Sequence, residues 1–118
     1  MGALDLNEVT LRGRLSAPAE RRAGHGEGDW LLFRLVIRRA DPAPRGPAVD
    51  VLQVRAPATE QLAHLIESLR PGDAVDVRGS LQRRFWRTGS GTASVTEVHA
   101  DVVAKVPDEV VAAAATAP

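Results

Sequence analysis

LRPGDAVDVRGSLQRRFW, from Leu69 to Trp86, combines a helix end, a turn, a strand and an arginine-rich aromatic tip. The turn is predicted at Pro71, Gly72 and Asp73, because proline fixes φ, glycine accepts positive φ and aspartate can hydrogen-bond nearby backbone. The alternation that follows places Val75, Val77, Gly79 and Leu81 on one face and Asp76, Arg78, Ser80, Gln82, Arg84 and Trp86 on the other. One face should therefore join the core, and the other should form a surface.

That surface ends in a basic segment, because residues 78–87 contain four arginines and no acidic residue. A basic strand that ends in an aromatic residue can hold a phosphate backbone and stack a base. An exposed edge strand kept soluble by arginine has the same pattern. This stretch by itself leaves both interpretations open.

Composition restricts the class of protein. A chain of 118 residues predicts one domain with one core, and 44% apolar but only 3% aromatic residues predict a core of aliphatic side chains. Fifteen basic and fifteen acidic residues give a formal net charge of +0, which argues against nucleic-acid binding by bulk charge alone. Arginine pairs such as Arg21-Arg22, Arg38-Arg39 and Arg83-Arg84 offer local charge instead, although a genome biased towards arginine would also produce them.

Several other classes are not expected. The chain has no cysteine, which excludes disulfides, thiolate nucleophiles and cysteine-based zinc sites. His25, His64 and His99 lack partners at ligand spacing, so no metal or cofactor is predicted. No catalytic motif is present, and no apolar run approaches the ~18 residues of a membrane span. We expect a non-enzymatic cytoplasmic protein without membrane contact.

Four further elements are predicted from periodicity. Strands are expected at Asn7–Leu15, Trp30–Arg39, Val49–Ala56 and Ser94–Val106, in addition to the strand after the turn. In the last strand, Val98, Ala100, Val102, Ala104 and Val106 share one parity. Gly13 and Gly79 lie inside strands and predict bends or close backbone approaches.

One helix is predicted at Thr59–Leu69, with Thr59 as its N-cap and an apolar face of Leu62, Leu65, Ile66 and Leu69. Residues 16–29, 41–48 and 88–93 are predicted as connections, because they are rich in glycine, proline or small polar residues. Pro107 should end the last strand, and residues 107–118 are predicted to be a disordered low-complexity tail after a domain at 1–106.

The order of three strands, a helix and two strands predicts a fold of the all-β class with one helix. It is the order of a five-stranded OB-fold Greek-key barrel, with the helix between strands 3 and 4. A five-stranded α+β sandwich has compatible periodicity. The two architectures differ in whether the sheet closes on itself.

Four collinear blocks resemble the bacterial single-stranded DNA-binding protein family over residues 7–106. The blocks are NEVTLRGRLSAPAERR (Asn7 to Arg22), FRLVIRR (Phe33 to Arg39), LRPGDAVDVRGSLQRRFW (Leu69 to Trp86) and TEVHADVV (Thr96 to Val103). The resemblance implies sequence-tolerant binding of single-stranded DNA in replication, repair or recombination. It also implies homo-oligomers, either dimers or tetramers.

The resemblance identifies Trp86 with a family stacking position. Val49 and Arg55 stand where the family often has aromatics, and Arg55 can itself stack on a base. The candidate nucleic-acid-binding residues are Trp86, Arg84, Gln82, Arg78, Arg55, Gln53, Arg34 and Arg38. Trp30 is predicted to pack in the core or at its rim, and Phe85 to pack rather than to contact DNA.

The C-terminus departs from the family, since the chain ends in ATAP and not in an acidic segment with a hydrophobic tip. Recruitment of other proteins through such a tail is therefore not expected. The sequence is similar in this respect to a tail-less secondary paralogue or to the primosomal replication proteins. A primosome-type OB-fold protein-interaction module with weak or no DNA binding is the alternative function, and an OB-fold nuclease is a more distant one.

Overall fold

The computed structural model describes residues 4–24, 26 and 28–115. His25 and the last three residues of the predicted tail lie outside the described residues. The elements are β1 (Val9–Leu15), β2 (Glu20–Arg22), β3 (Trp30–Arg38), β4 (Val49–Pro57), α1 (Glu60–Ser68), β5 (Ala74–Thr88), β6 (Gly91–Lys105) and α2 (Asp108–Ala115).

The sheet closes on itself because β1 pairs with two strands. Its residues Val9–Arg14 pair with β5, and Arg14 and Leu15 pair with Val36 and Leu35 of β3. The strand order β1-β5-β6-β4-β3 thus forms a ring of five strands, antiparallel except between β4 and β6. With α1 between β4 and β5, this is the predicted OB-fold barrel, and the open sandwich is excluded.

The core follows from the alternation along each strand. Val75, Val77, Val54 and Leu35 are fully buried, and the core cluster is aliphatic apart from Phe33. Gly13 lies where β1 passes from β5 to β3, and a side chain there would collide with the carbonyl oxygen of Val36. The predicted close backbone approach at Gly13 is therefore confirmed.

The alternation predicted for the last strand is wrong beyond Ala100. Arg78 pairs with Val102 and Gly79 with Ala100, so Asp101 is the extra residue of a β-bulge in β6. The bulge reverses the parity, which buries Val103 and leaves Val102 exposed. It lies opposite Gly79, which was predicted as a bend.

Two predicted connections contain regular structure. Within residues 16–29, β2 pairs with the start of β3, with Glu20 opposite Leu32 and Arg22 opposite Trp30. Residues 88–93 are not a loop of six, because β5 and β6 remain paired up to Thr88 and Gly91. The β5–β6 hairpin therefore extends beyond the barrel, and Leu81, predicted as core, is exposed on it.

The helix and the turn agree with the sequence prediction to within a residue at each end. The Leu62 backbone N–H donates to Thr59 Oγ1 at 3.2 Å, which confirms the N-cap. Gly72 has φ +94°, and Asp73 Oδ2 accepts a hydrogen bond from the Arg70 backbone N–H at 2.9 Å. In the described part of the chain, neither helix has the length and apolar character needed to cross a membrane.

The predicted tail differs from the structure, because Asp108–Ala115 form α2. The Pro107 carbonyl accepts from the backbone N–H groups of Val110 and Val111 at 3.0 and 3.2 Å. Asp108 and Glu109 in the first turn favour the helix dipole, and the alanine run has high helix propensity. The low complexity of this segment therefore reflects its high content of alanine, which favours a helix.

Candidate nucleic-acid interface

The outward sides of β3, β4, β6 and β5 form one continuous surface, here called the polar face. The pairings that join it place Arg34 opposite Gln53, Arg55 beside His99, and Gln82 opposite Glu97. Its members are Trp30, Arg34, Gln53, Arg55, Gln82, Arg84, Trp86, Glu97 and His99. Each has the outward parity of its strand, so the barrel brings together side chains that are up to 69 positions apart in sequence.

Glu97 is the centre of the polar face and is only 1% exposed. Its Oε2 accepts a hydrogen bond from Gln53 Nε2 at 2.9 Å. Its Oε1 has Arg84 Nε at 3.4 Å and Arg55 Nε at 3.7 Å, with His99 Nε2 also at 3.7 Å. A buried carboxylate is tolerated only when it is paired, and here two arginines and an amide surround it.

Each of these two arginines also lies over a tryptophan. The Arg55 guanidinium carbon is 5.3 Å from the ring centroid of Trp30, and that of Arg84 is 5.4 Å from the ring centroid of Trp86. His99 meets Trp30 edge-on, with ring centroids 6.0 Å apart and an interplanar angle of 63°. The two guanidinium-to-tryptophan distances lie within the range of cation–π attraction.

The tip of the β5–β6 hairpin is the most exposed part of the candidate site. Trp86 is 44% exposed there, and Phe85 on the opposite side of β5 is 60% exposed. The prediction that Phe85 packs is therefore wrong, because the hairpin has left the barrel before residue 85. Phe85 instead lies under the Arg83 guanidinium at 5.2 Å, and Arg83 Nη2 donates to Ser94 Oγ at 2.6 Å.

Six of the eight predicted site residues lie on the polar face: Trp86, Arg84, Gln82, Arg55, Gln53 and Arg34. Arg38 is separated from them, because it lines a cleft of about 460 Å³ together with Val49 and residues of α2. Arg78 lines a different depression, with Arg12 and Asp76.

Local charge is lower around Arg78 than the sequence indicates. Arg12 donates to both carboxylate oxygens of Asp76, at 2.6 and 3.0 Å. This hydrogen bonding lowers the pKa of Asp76 and raises the pKa of Arg12. Because the positive charge of Arg12 is offset by the negative charge of Asp76, Arg12 adds little positive potential next to Arg78.

Sequence reasoning missed three members of the polar face: Glu97, His99 and Trp30. Glu97 and His99 have the outward parity of β6, where charged residues are normally solvated, and nothing in the sequence shows that other strands cover the carboxylate. Trp30 was predicted in the core or at its rim. It is half-buried on the outward side of β3, at the rim of the barrel.

Comparison with known proteins supports the fold. No family model matches the sequence, and no curated protein matches it either. The structure is similar to that of a Plasmodium falciparum SSB in complex with ssDNA, with a TM-score of 0.74 and 21% sequence identity. The match covers 91% of this chain and 100% of that chain. The chain is thus an OB-fold domain with the fold of that SSB.

Proposed function

We propose that this chain binds single-stranded DNA without sequence preference and without catalysing a reaction. The observation that carries the proposal is the pairing of Arg84 with a half-exposed Trp86 at the end of β5. An indole ring next to a guanidinium can stack on a base while the arginine contacts the adjacent phosphate. This combination tolerates any sequence, because every base has a π-face.

The rest of the polar face would guide the DNA backbone towards this pair. Arg34 and Arg55 lie along β3 and β4, and Gln53 and Gln82 add amide groups that can contact sugar or base edges. Since the chain has a formal net charge of +0, affinity depends on these local arginines. Binding should therefore weaken as the salt concentration rises. This dependence should be shallower than for a strongly basic protein, because fewer counterions are released on binding.

The similar P. falciparum SSB is in complex with ssDNA, which supports the same ligand class for this chain. A role in replication, repair or recombination and a cytoplasmic location are part of the proposal. The resemblance of residues 7–106 to the bacterial single-stranded DNA-binding proteins also supports these roles.

The test is a titration of intrinsic tryptophan fluorescence at low salt. We expect oligo-dT to quench the emission and duplex DNA of the same length to have a much smaller effect. The bases of a duplex are paired and stacked on each other, so that none can stack on Trp86. The absence of quenching by oligo-dT, or an equal response to duplex, would contradict the proposal.

A protein-interaction module of the primosome type remains the second candidate. It is favoured by Phe85 and Leu81, which are both exposed on the side of β5 opposite Trp86. Exposed apolar side chains on one side of a hairpin are typical of protein contacts. A partner captured by the unmodified chain and lost with Phe85→Ala, in a protein that does not bind oligo-dT, would favour this function.

Self-association into dimers or tetramers also stays a prediction. Leu32, which has the outward parity of β3, is buried between β2 and β4, whereas Val51 is 55% exposed and Val49 is also exposed. These two valines leave an apolar strip on β4 that a second copy could cover. Light scattering at micromolar concentration should give a multiple of the 12.6 kDa chain mass, and a monomer mass would count against the prediction.

A further inference from the structure

Trp30 begins β3 but does not enter the core, although its neighbour Leu31 does. Its ring is held from two directions, by the Arg55 guanidinium at 5.3 Å and by the edge-on ring of His99 at 6.0 Å. A partly exposed tryptophan held in this way has few accessible rotamers, so its ring keeps one orientation. Aromatic groups of this kind bind nucleobases by stacking.

Glu97 connects Trp30 to the pair at the hairpin tip. Both arginines approach the same oxygen, Oε1, through their Nε atoms. Across residues 4–24, 26 and 28–115, no hydrogen bond engages the Nη groups of Arg55 or Arg84. The carboxylate therefore attracts the Nε edge of each guanidinium, and the Nη edge stays available for a ligand.

The chemistry of Oε1 also indicates a role beyond stability. This buried atom accepts no hydrogen bond, and the neighbouring Arg55 Nε donates none. A buried polar pair that serves stability alone is normally fully hydrogen-bonded. Here the arginines instead lie over their tryptophans, in the order Trp30, Arg55, Glu97, Arg84, Trp86.

We infer that the Trp30–Arg55 pair is a second nucleobase-stacking platform, and that Glu97 is a positioning residue that holds it in line with the Trp86–Arg84 pair. The inference rests on the proposed function, since it concerns the same single-stranded ligand. A strand that stacks on Trp86 continues across the Nη groups of the two arginines to reach Trp30. Single-stranded DNA thus has two anchoring points on this domain.

The chain has two tryptophans, so replacing one makes the other the only indole reporter. In the Trp86→Phe protein, oligo-dT should quench the emission of Trp30. In the matched Trp30→Phe protein, it should quench the emission of Trp86. An oligo-dT carrying 5-iododeoxyuridine should, in addition, photo-crosslink to the peptide that contains Trp30.

Binding of the same oligonucleotides is followed independently by anisotropy of an end-label. One outcome is that the oligonucleotide binds and quenches the emission of Trp86, while Trp30 is neither quenched nor crosslinked. The assignment of Trp30 as a second platform is then wrong, and the proposed function stands. If the label shows no binding to the unmodified chain, the proposed function itself fails.

The Trp30→Ala protein should bind oligo-dT roughly 5- to 150-fold more weakly, as expected for one stacked base. Affinity is measured below the melting transition, so that folded protein is compared with folded protein. Arg55→Lys keeps the charge but loses the planar group, and it should weaken binding several-fold while leaving the salt dependence unchanged. Unchanged affinity in both variants would overturn the inference.

Glu97→Gln separates positioning from simple electrostatics. The substitution keeps the shape of the side chain and raises the charge of the face by one unit, so charge alone predicts tighter binding and a steeper salt dependence. If Glu97 positions the arginines, binding should instead weaken several-fold. Tighter binding by the folded Glu97→Gln protein would show that Glu97 has no positioning role.

Discussion

The Gly79→Ala protein is expected to be less stable than the unmodified chain by about 3 kcal/mol, which lowers the melting temperature by roughly 10–15 °C. A β-carbon at residue 79 would overlap the carbonyl oxygen of His99 and crowd the Cα of Ala100. These are backbone atoms beside the bulge of β6, and they cannot move away without breaking the β5–β6 pairing. Thermal unfolding followed by circular dichroism measures the effect.

Gly89→Ala is the matched control, because a β-carbon at residue 89 would meet nothing within 4 Å. The melting temperature of this variant should stay within about 2 °C of the original, as for most surface substitutions. By itself, replacing glycine with alanine lowers the entropy of the unfolded chain and favours folding where the backbone accepts alanine. Equal losses in the two variants would therefore exclude the close approach at Gly79 as the cause.

The Trp86→Ala protein is expected to lose about 1–3 kcal/mol of binding free energy for oligo-dT, the contribution of one stacked base. Its stability should change by less than about 1 kcal/mol, since the side chain is 44% exposed on a hairpin beyond the barrel. A buried tryptophan would instead cost about 3–5 kcal/mol of folding free energy. Label anisotropy and thermal unfolding on the same preparation measure both quantities.

Phe85→Ala provides the matched control, because Phe85 is the neighbouring aromatic on the opposite side of β5 and is even more exposed. It should leave oligo-dT affinity within about twofold of the original, an energy change below about 0.5 kcal/mol. Equal losses for Phe85 and Trp86 would indicate nonspecific contact with the hairpin tip and would contradict the assignment of the binding side.

Arg84→Ala completes the set by testing the phosphate contact. Removing one contact to a single strand should lower the slope of log affinity against log salt by about 0.7. An unchanged slope would mean that Arg84 serves Glu97 and Trp86 without touching phosphate. In the Trp86→Ala protein, the slope of log affinity against log salt should remain unaltered, because stacking of an indole ring on a base releases no counterion.

Local patterns in the sequence determined most of the secondary structure. The alternation of Val9, Leu11 and Leu15 was sufficient for β1, and Thr59 marked the start of α1, because strand parity and N-caps depend on nearest neighbours. Pro71-Gly72 marked the turn before β5 for the same reason. The order of these elements indicated the OB-fold, and closure of the ring confirmed it.

Tertiary structure alone decided which side chains meet. The bulge at Asp101 is a property of the pairing between β5 and β6, and it reversed the parity of Val102 and Val103. Glu97 is buried because β4 and β5 place Gln53 and Arg84 over it, from 44 and 13 positions away in sequence. Periodicity gives the side of a strand but not what covers that side, since coverage depends on neighbours that only the closed barrel supplies.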